Sequence, residues 1–515
     1  MPAASITPRP DQVAIDAQHV DREQHAVLRA QRPVLGQPRT GEPRDRGRDE
    51  DHESPSRHPP PQVERDDQRR THPRDRGKPF DRVGKCFHAP ARSGPRGFCY
   101  RRRATLDRDQ PETLREALSA MATEPVVILS YARTPMGSFQ GALAGASATE
   151  LGAAAVRGAV DRAGVSAEAV ERIYMGCVLP AGLGQAPARQ AAIGAGLGTH
   201  VEATTVNKMC GSGMQAAIMA ADALAAGSAD LLVAGGMESM TNAPFLSKKH
   251  RAGARIGHDT LYDHMYLDGL EDAYEPGRLM GSFAEDTAAE YQFTRAAMDD
   301  YAIESLHRAQ RAQTDGSFAQ EIVPVAIKTR KGVETVSLDE QPARGDVAKI
   351  PTLKPAFSKE GTITAANASS ISDGAAALVM ARADAAERIG AKPIARVVAH
   401  AAHAHAPALF TTAPVFAIRK VLDKAGWTAA DVDLFEINEA FAAVAMIAMR
   451  DLDLPHDKVN VHGGACALGH PIGASGARVI ATLLSALEKT GGKRGVAALC
   501  IGGGEATALA VEMID

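Results

Sequence analysis

The 515-residue chain is poor in aromatic residues, at 4%, and carries one tryptophan and six cysteines. It has no uninterrupted apolar run near the roughly 20 residues that span a bilayer, so no membrane-crossing helix is expected. Cys86, Cys99, Cys177, Cys210, Cys466 and Cys500 form no CxxC pair and no zinc-ligand spacing. That argues against a zinc ribbon or a disulfide scaffold. An apolar segment suited to a secretory signal is lacking, so reduced thiols and a cytoplasmic setting are expected. The overall composition, 44% hydrophobic and 23% charged, excludes collagen and coiled-coil classes.

The averages conceal two different polymers. Residues 1–120 hold 15 of the 30 prolines, with 24 Lys+Arg against 19 Asp+Glu. The remaining 395 residues carry 34 and 43 respectively, a net of −9. From Gly41 to Arg76 there is almost nothing apolar to bury, so backbone entropy of roughly 1–2 kcal/mol per residue goes uncompensated. Residues 1–121 are therefore expected to be a disordered Arg/Pro-rich tail. Its acids argue against an organelle transit peptide and nearly cancel the arginines, so a nucleic-acid partner is not expected. The abrupt change at Glu124-Pro125 raises the expectation that Met121 is the true start.

Beyond it, Val126 to Leu129 reads as a buried strand, with a loop over Arg133 to Gly137. Thr149 to Ala163, closed by Gly164, reads as a helix, and Leu231 to Ala234 as a strand ending at Gly235-Gly236. Alternating strands and Ala-rich helices indicate a layered α/β fold. The chain also repeats itself. Val206-Asn207 precedes a Gly/Cys turn, a helix and a strand ending in glycines; Val459-Asn460 precedes a glycine-rich turn, a helix (Ala477 to Leu487) and a strand ending at Gly502-Gly503-Gly504. Two similar halves are expected: 122–241, completed by 371–391, and 392–515. Between them, 242–370 is more charged, with an expected helix over Ala284 to Gln313 and a loop over Lys328 to Lys359. An insertion of that length is usually functional, and here it suggests a lid or substrate-binding subdomain.

Four segments carry chemistry. Asn207-Lys208-Met209-Cys210-Gly211-Ser212-Gly213-Met214 puts Cys210 at a helix N-terminus, where the dipole would lower a thiol pKa; the alternative is a structural cysteine at a packing turn. Gly463 to Gly476 surrounds His470-Pro471 with glycines, suiting a base exposed at a cleft or a loop-stabilising ring. Cys500 ends a buried strand before Gly502, a place that also suits a core cysteine. Asn438-Glu439 interrupts an apolar segment and needs partners, as a buried network or a water-holding site. Two thiols, one imidazole and nearby N–H groups suffice for thioester exchange and for carbon–carbon bond formation next to a thioester.

These motifs, in this order, resemble the thiolase family, specifically its acetyl-CoA C-acetyltransferases, from about Pro125 to Asp515. The resemblance implies a five-layered αβαβα thiolase fold of two similar halves with an inserted loop domain at 242–370 that binds CoA. It implies reversible condensation of two acetyl-CoA to acetoacetyl-CoA plus CoA through an acetyl-cysteine. Cys210 matches the acylated nucleophile and His470 its base. Asn438 matches the holder of an oxyanion-hole water, Cys500 the second acid/base, and Gly502, with Cys210, the N–H donors of the other oxyanion hole. Ser369, Arg344, Leu353 and Phe357 resemble the CoA-holding surface; Met280, Phe441 and Phe410 resemble the acyl pocket. Leu279 stands where many biosynthetic members have His, Ser370 where Gly is common, and Phe410 where several have Met. These departures bear on chain length and CoA contacts rather than on reaction class. No metal or other cofactor is implied, since CoA thioesters are the substrates, and a homodimer or homotetramer is expected. The alternatives are a degradative 3-ketoacyl-CoA thiolase of broader chain length and a non-catalytic CoA-binding protein.

Overall fold

The computed structural model describes residues 124–514. The expected tail, Cys86 and Cys99 lie outside them.

The first half runs β1 (Val126–Arg133), α1 (Ala148–Ala163), β2 (Arg172–Gly176), α2 (Pro187–Ala195), β3 (Glu202–Val206), α3 (Ser212–Ala225) and β4 (Leu231–Ser239). The insertion follows, with α4 (Met280–Glu290), α5 (Arg295–Thr314) and the hairpin β5 (Val325–Thr329)–β6 (Gly332–Val336). Strand β7 (Ser372–Arg382) returns to the first half. The second half repeats the order: β8 (Ala395–Ala404), α6 (Ala413–Ala425), β9 (Leu434–Ile437), α7 (Ala442–Leu452), α8 (Ile472–Thr490), β10 (Arg494–Ile501) and β11 (Glu505–Met513). The strand orders correspond as well, β3-β2-β4-β7-β1 in one half and β9-β10-β11-β8 in the other. The counterpart of β3 is reduced to a parallel bridge between Phe435 and Val459. The half-sheets meet where Val127 and Ile128 pair with Arg396 and Ala395.

Strand alternation builds the layers. Leu231 and Val233 face α1 and α2, while Leu232 and Ala234 face α3 and α8. In β10, Ala497 and Leu499 face α3 and α8 from the other side, and Val496, Ala498 and Cys500 face α6 and α7. The result is five layers, αβαβα, with α3 and α8 sandwiched between two sheets. Helix α8 is buried from Ile472 to Leu487, since a helix covered on all sides is apolar all round.

Several boundaries differ from the sequence expectation. Strand β1 continues to Arg133, whose guanidinium is fully buried on Asp339 (2.6 Å) and Glu321 (2.7 Å), both from the insertion. The helix expected over Ala284 to Gln313 is two helices, because Gln292 takes φ 55° and the Thr294 side chain caps α5 at Ala297 N–H. The segment expected as a loop from Lys328 holds β6 and a helical turn at Glu340–Arg344. Strand β4 passes through Gly235-Gly236, and α8 begins at Ile472, inside the glycine-rich stretch. Both follow from close approach: a Cβ on Gly236 would lie 2.1 Å from Gly473 O, and one on Gly476 would lie 2.2 Å from Met214 N.

Candidate active site

Strand β3 delivers the chain into the turn that carries Cys210. Met209 takes φ 47°, and Ser212 Oγ closes the turn, accepting from Lys208 N–H (2.9 Å) and donating to Met209 O (2.6 Å). Cys210 thus stands just before α3 with its sulfur turned inward. The N–H of Gly502 and its own N–H face that sulfur, favouring the thiolate, but burial outweighs them and the nearby Glu238 carboxylate adds to it, so the thiol is pushed up to about 11. This corrects the expectation of a lowered pKa: desolvation exceeds the pull of the helix end. The resting group is a thiol that needs a base.

Cys500 is the penultimate residue of β10, opposite Ala506 of β11. Its thiol is raised by burial and by the neighbouring Cys210 sulfur, which places the two sulfurs in one field. The Gly502-Gly503-Gly504 turn follows, at φ 92° and 84° for its last two residues. Met280 lies over Gly502, its Sδ 3.4 Å from where a Cβ would stand. Phe441 packs edge-on against Phe357 (6.1 Å) and Phe410 (6.2 Å), and all of these share one apolar cluster with Cys500. Ser369 donates its N–H and its hydroxyl to Ala440 O, both at 3.0 Å, tying the Asn367–Ser369 turn to the Asn438–Phe441 loop.

His470 is 7% exposed, more enclosed than the expected cleft histidine. Its N–H donates to Ser370 O (3.1 Å). Ser475 Oγ donates its one hydrogen to Pro471 O (2.9 Å) and therefore accepts from His470 Nδ1–H (2.6 Å). That assigns the tautomer: Nδ1 carries the proton, and Nε2, with no partner among the described residues, keeps its lone pair. Burial and the Arg478 charge push the ring down to about 3, so it is neutral at ordinary pH. Arg478 also donates to Asn438 Oδ1 (3.2 Å) while paired with Glu436 (2.6 Å), which leaves Asn438 Nδ2 as a buried donor without a partner among the described residues. Glu439 divides from its neighbour: it accepts from Tyr301 Oη, Ser305 Oγ, Asn460 Nδ2 and Cys466 N–H at 2.8–3.1 Å, as a structural network. Ile472, two residues past His470, packs in one cluster with Met209 and Cys210.

Arg344 and Leu353 lie elsewhere. They line a neighbouring cavity of about 220 Å³ that reaches Cys466 but neither Cys210 nor Cys500, and Arg344 is paired with Glu340 at 2.5 Å. Ser475 and Arg478 were not singled out from sequence. Arg478 had a visible signal, as the one charge in the apolar run from Ile472 to Leu487. Ser475 had none, because a serine among glycines and alanines reads as small filler. Among the described residues no group of three or more His, Cys, Asp or Glu is arranged to hold a metal ion.

Two family models match, the thiolase N-terminal domain over residues 126–384 and the thiolase C-terminal domain over 391–513. An acetyl-CoA acetyltransferase of Allochromatium vinosum is 47% identical over 391 residues, covering 76% of this chain and 99% of that one. The acetyl-CoA acetyltransferase of Saccharomyces cerevisiae is 48% identical over 398 residues, with 76% and 100% covered. Among solved structures, the Acat5 thiolase of Ascaris suum in complex with coenzyme A aligns with a TM-score of 0.72 at 42% identity, over 76% of this chain and all of that one.

Proposed function

The chain belongs to the thiolase family, and from that premise we propose that it is an acetyl-CoA C-acetyltransferase working through an acetyl group on Cys210. In the thiolysis direction, His470 Nε2 takes the Cys210 proton and the sulfur attacks the C3 carbonyl of acetoacetyl-CoA. The C2–C3 bond breaks, its electron pair stays on C2, and the Cys500 thiol protonates that carbon to release acetyl-CoA. The Cys500 thiolate then takes the proton of incoming CoA, whose sulfur attacks acetyl-Cys210. Cys210 leaves as thiolate and recovers its proton from His470. Condensation is the reverse sequence.

The environments suit these roles. A thiol held protonated by burial is an acid ready for C2, and a neutral imidazole with one bare nitrogen is a base ready for a thiol. The N–H groups of Cys210 and Gly502 would hold the oxyanion formed on the acyl group. Protonated His470 Nε2 and a water on Asn438 Nδ2 would hold the thioester oxygen of the enolate. Ser369 and Phe357 are assigned to the pantetheine arm, Arg344 and Leu353 to the outer part of CoA, and Met280, Phe441 and Phe410 to the acyl group.

The observation that carries this reading is the meeting of Cys210 with Cys500 and the Gly502 N–H, which two segments nearly 300 residues apart bring to one point. Intact-mass analysis after mixing with acetyl-CoA is expected to show one acetyl group on Cys210. Cys210→Ala abolishes both directions, and Cys500→Ser mainly harms the carbon–carbon step. A Cys210→Ala protein with full thiolysis rejects the scheme. The buried Phe410–Phe441 contact favours short acyl groups, so C4 substrates should turn over far faster than C16; equal rates would favour the degradative alternative. A cytoplasmic homodimer or homotetramer completes the proposal, with light scattering as the check on assembly. No helix among the described residues is long and apolar enough to cross a membrane.

A further inference from the structure

An ion pair bridges the two turns that meet at the sulfur, and the scheme above gives it no task. Lys208 Nζ contacts Glu505 Oε2. Lys208 stands two residues before Cys210, and its backbone N–H on Ser212 Oγ makes it part of the nucleophile turn. Glu505 opens β11 opposite Ile501, at the far end of the Gly502-Gly503-Gly504 turn. Three consecutive glycines are the least constrained backbone a chain offers, yet the Gly502 N–H has to stay aimed at Cys210. Other contacts also hold the turn: His405 N–H donates to Gly504 O (2.9 Å), Met280 lies over Gly502, Ile501 packs against Gly211, and Glu505 pairs with Ala404 of β8. Among the described residues, only the Lys208–Glu505 pair joins the nucleophile turn to the outgoing strand by charge.

We propose that Lys208 and Glu505 are positioning residues that keep the N–H donors of Cys210 and Gly502 in register around the acyl oxygen, an inference resting on the acyl-transfer proposal above. Both side chains are partly exposed, at 24% and 36%. Such a pair adds little to stability in water. Rate is another matter, because an oxyanion donor acts only when its placement is correct to a fraction of an ångström.

The test uses the full chain and thiolysis of acetoacetyl-CoA. Lys208→Met and Glu505→Gln are each expected to lower kcat about tenfold, a fraction of the 10²–10³-fold cost of losing an oxyanion donor outright. KM for CoA should stay within about twofold, and the melting temperature within about 2 °C. The reversed pair, Lys208→Glu with Glu505→Lys, should recover most of the rate, since it rebuilds the link while moving the positive charge away from the sulfur. Three results overturn the inference: single variants with wild-type kcat; a loss confined to KM for CoA, which makes Lys208 a phosphate contact; and a reversed pair as slow as the single variants, which makes the lysine charge itself the active element. An inactive wild type overturns the acyl-transfer proposal and the clamp together, whereas an active wild type with indifferent variants overturns the clamp alone.

Discussion

His470 has two ring nitrogens, and a single serine decides which of them is free. With Ser475 Oγ committed to Pro471 O, the imidazole can bond it only through Nδ1–H, and the basic nitrogen is left facing outward from that contact. Ser475→Ala removes the acceptor that holds this tautomer. The expected result is a fall in kcat of roughly 10–100-fold at nearly constant KM; steady-state thiolysis kinetics measure it, and an unchanged kcat would mean the ring orients itself. The nucleophile adds a pH signature. A thiol pushed up to about 11 is protonated throughout the neutral range, and its thiolate fraction grows as pH rises. Inactivation of the free enzyme by iodoacetamide should therefore keep accelerating, about tenfold per unit, between pH 7 and pH 10. A plateau near pH 8.5, where an ordinary thiol titrates, would contradict the burial argument.

At the level of elements, the two central helices govern the site. α3 starts just after Cys210 and α8 just after His470, so their mutual approach sets where both groups stand. Gly476 is the point of closest contact: its missing Cβ leaves room for the Met214 backbone N, which no side-chain rotation can move aside. Gly476→Ala should part the helices, destabilise the fold by about 1–3 kcal/mol and reduce activity as well. Gly491→Ala at the C-cap of α8 makes the instructive contrast. It has φ 72° and open space around the added methyl, so a loss of about 1 kcal/mol with normal kcat is expected. Urea unfolding paired with a thiolysis assay separates the two cases.

At the scale of the whole molecule, the insertion is pinned to the first half-sheet by Arg133. Its guanidinium lies fully buried between Glu321 and Asp339, and Met136 N–H also donates to Asp339 (2.8 Å). Arg133→Met strands two buried carboxylates, and about 3–5 kcal/mol of stability should be lost, read as a lower denaturant midpoint. A protein beginning at Met121 is expected to keep the full thiolysis rate, since the matched family domains begin at residue 126; a slower truncated enzyme would assign residues 1–120 a part in catalysis.

The layered fold and its duplication were legible in the sequence because they rest on local composition: short apolar runs, Ala-rich helices and glycine punctuation repeat at matching positions in each half. Cys210, His470 and Cys500 each stand in a glycine-bearing segment that is plain in the sequence, whereas the close packing that most of those glycines serve is visible only in the fold. Other features belong to tertiary structure alone. The pKa of Cys210 went the opposite way from its expected shift because the desolvation around its sulfur, with the Gly502 turn and Glu238 beside it, comes from segments far apart in the chain, which no local window contains. Arg133 lost its loop reading because Glu321 and Asp339, nearly 200 residues or more away, neutralise it. The glycines at 236 and 476 are element interiors rather than breaks, since the backbone they admit comes from another part of the chain. Residue type and order determined which groups are present; desolvation and long-range contact decided their protonation, their orientation and which of them meet.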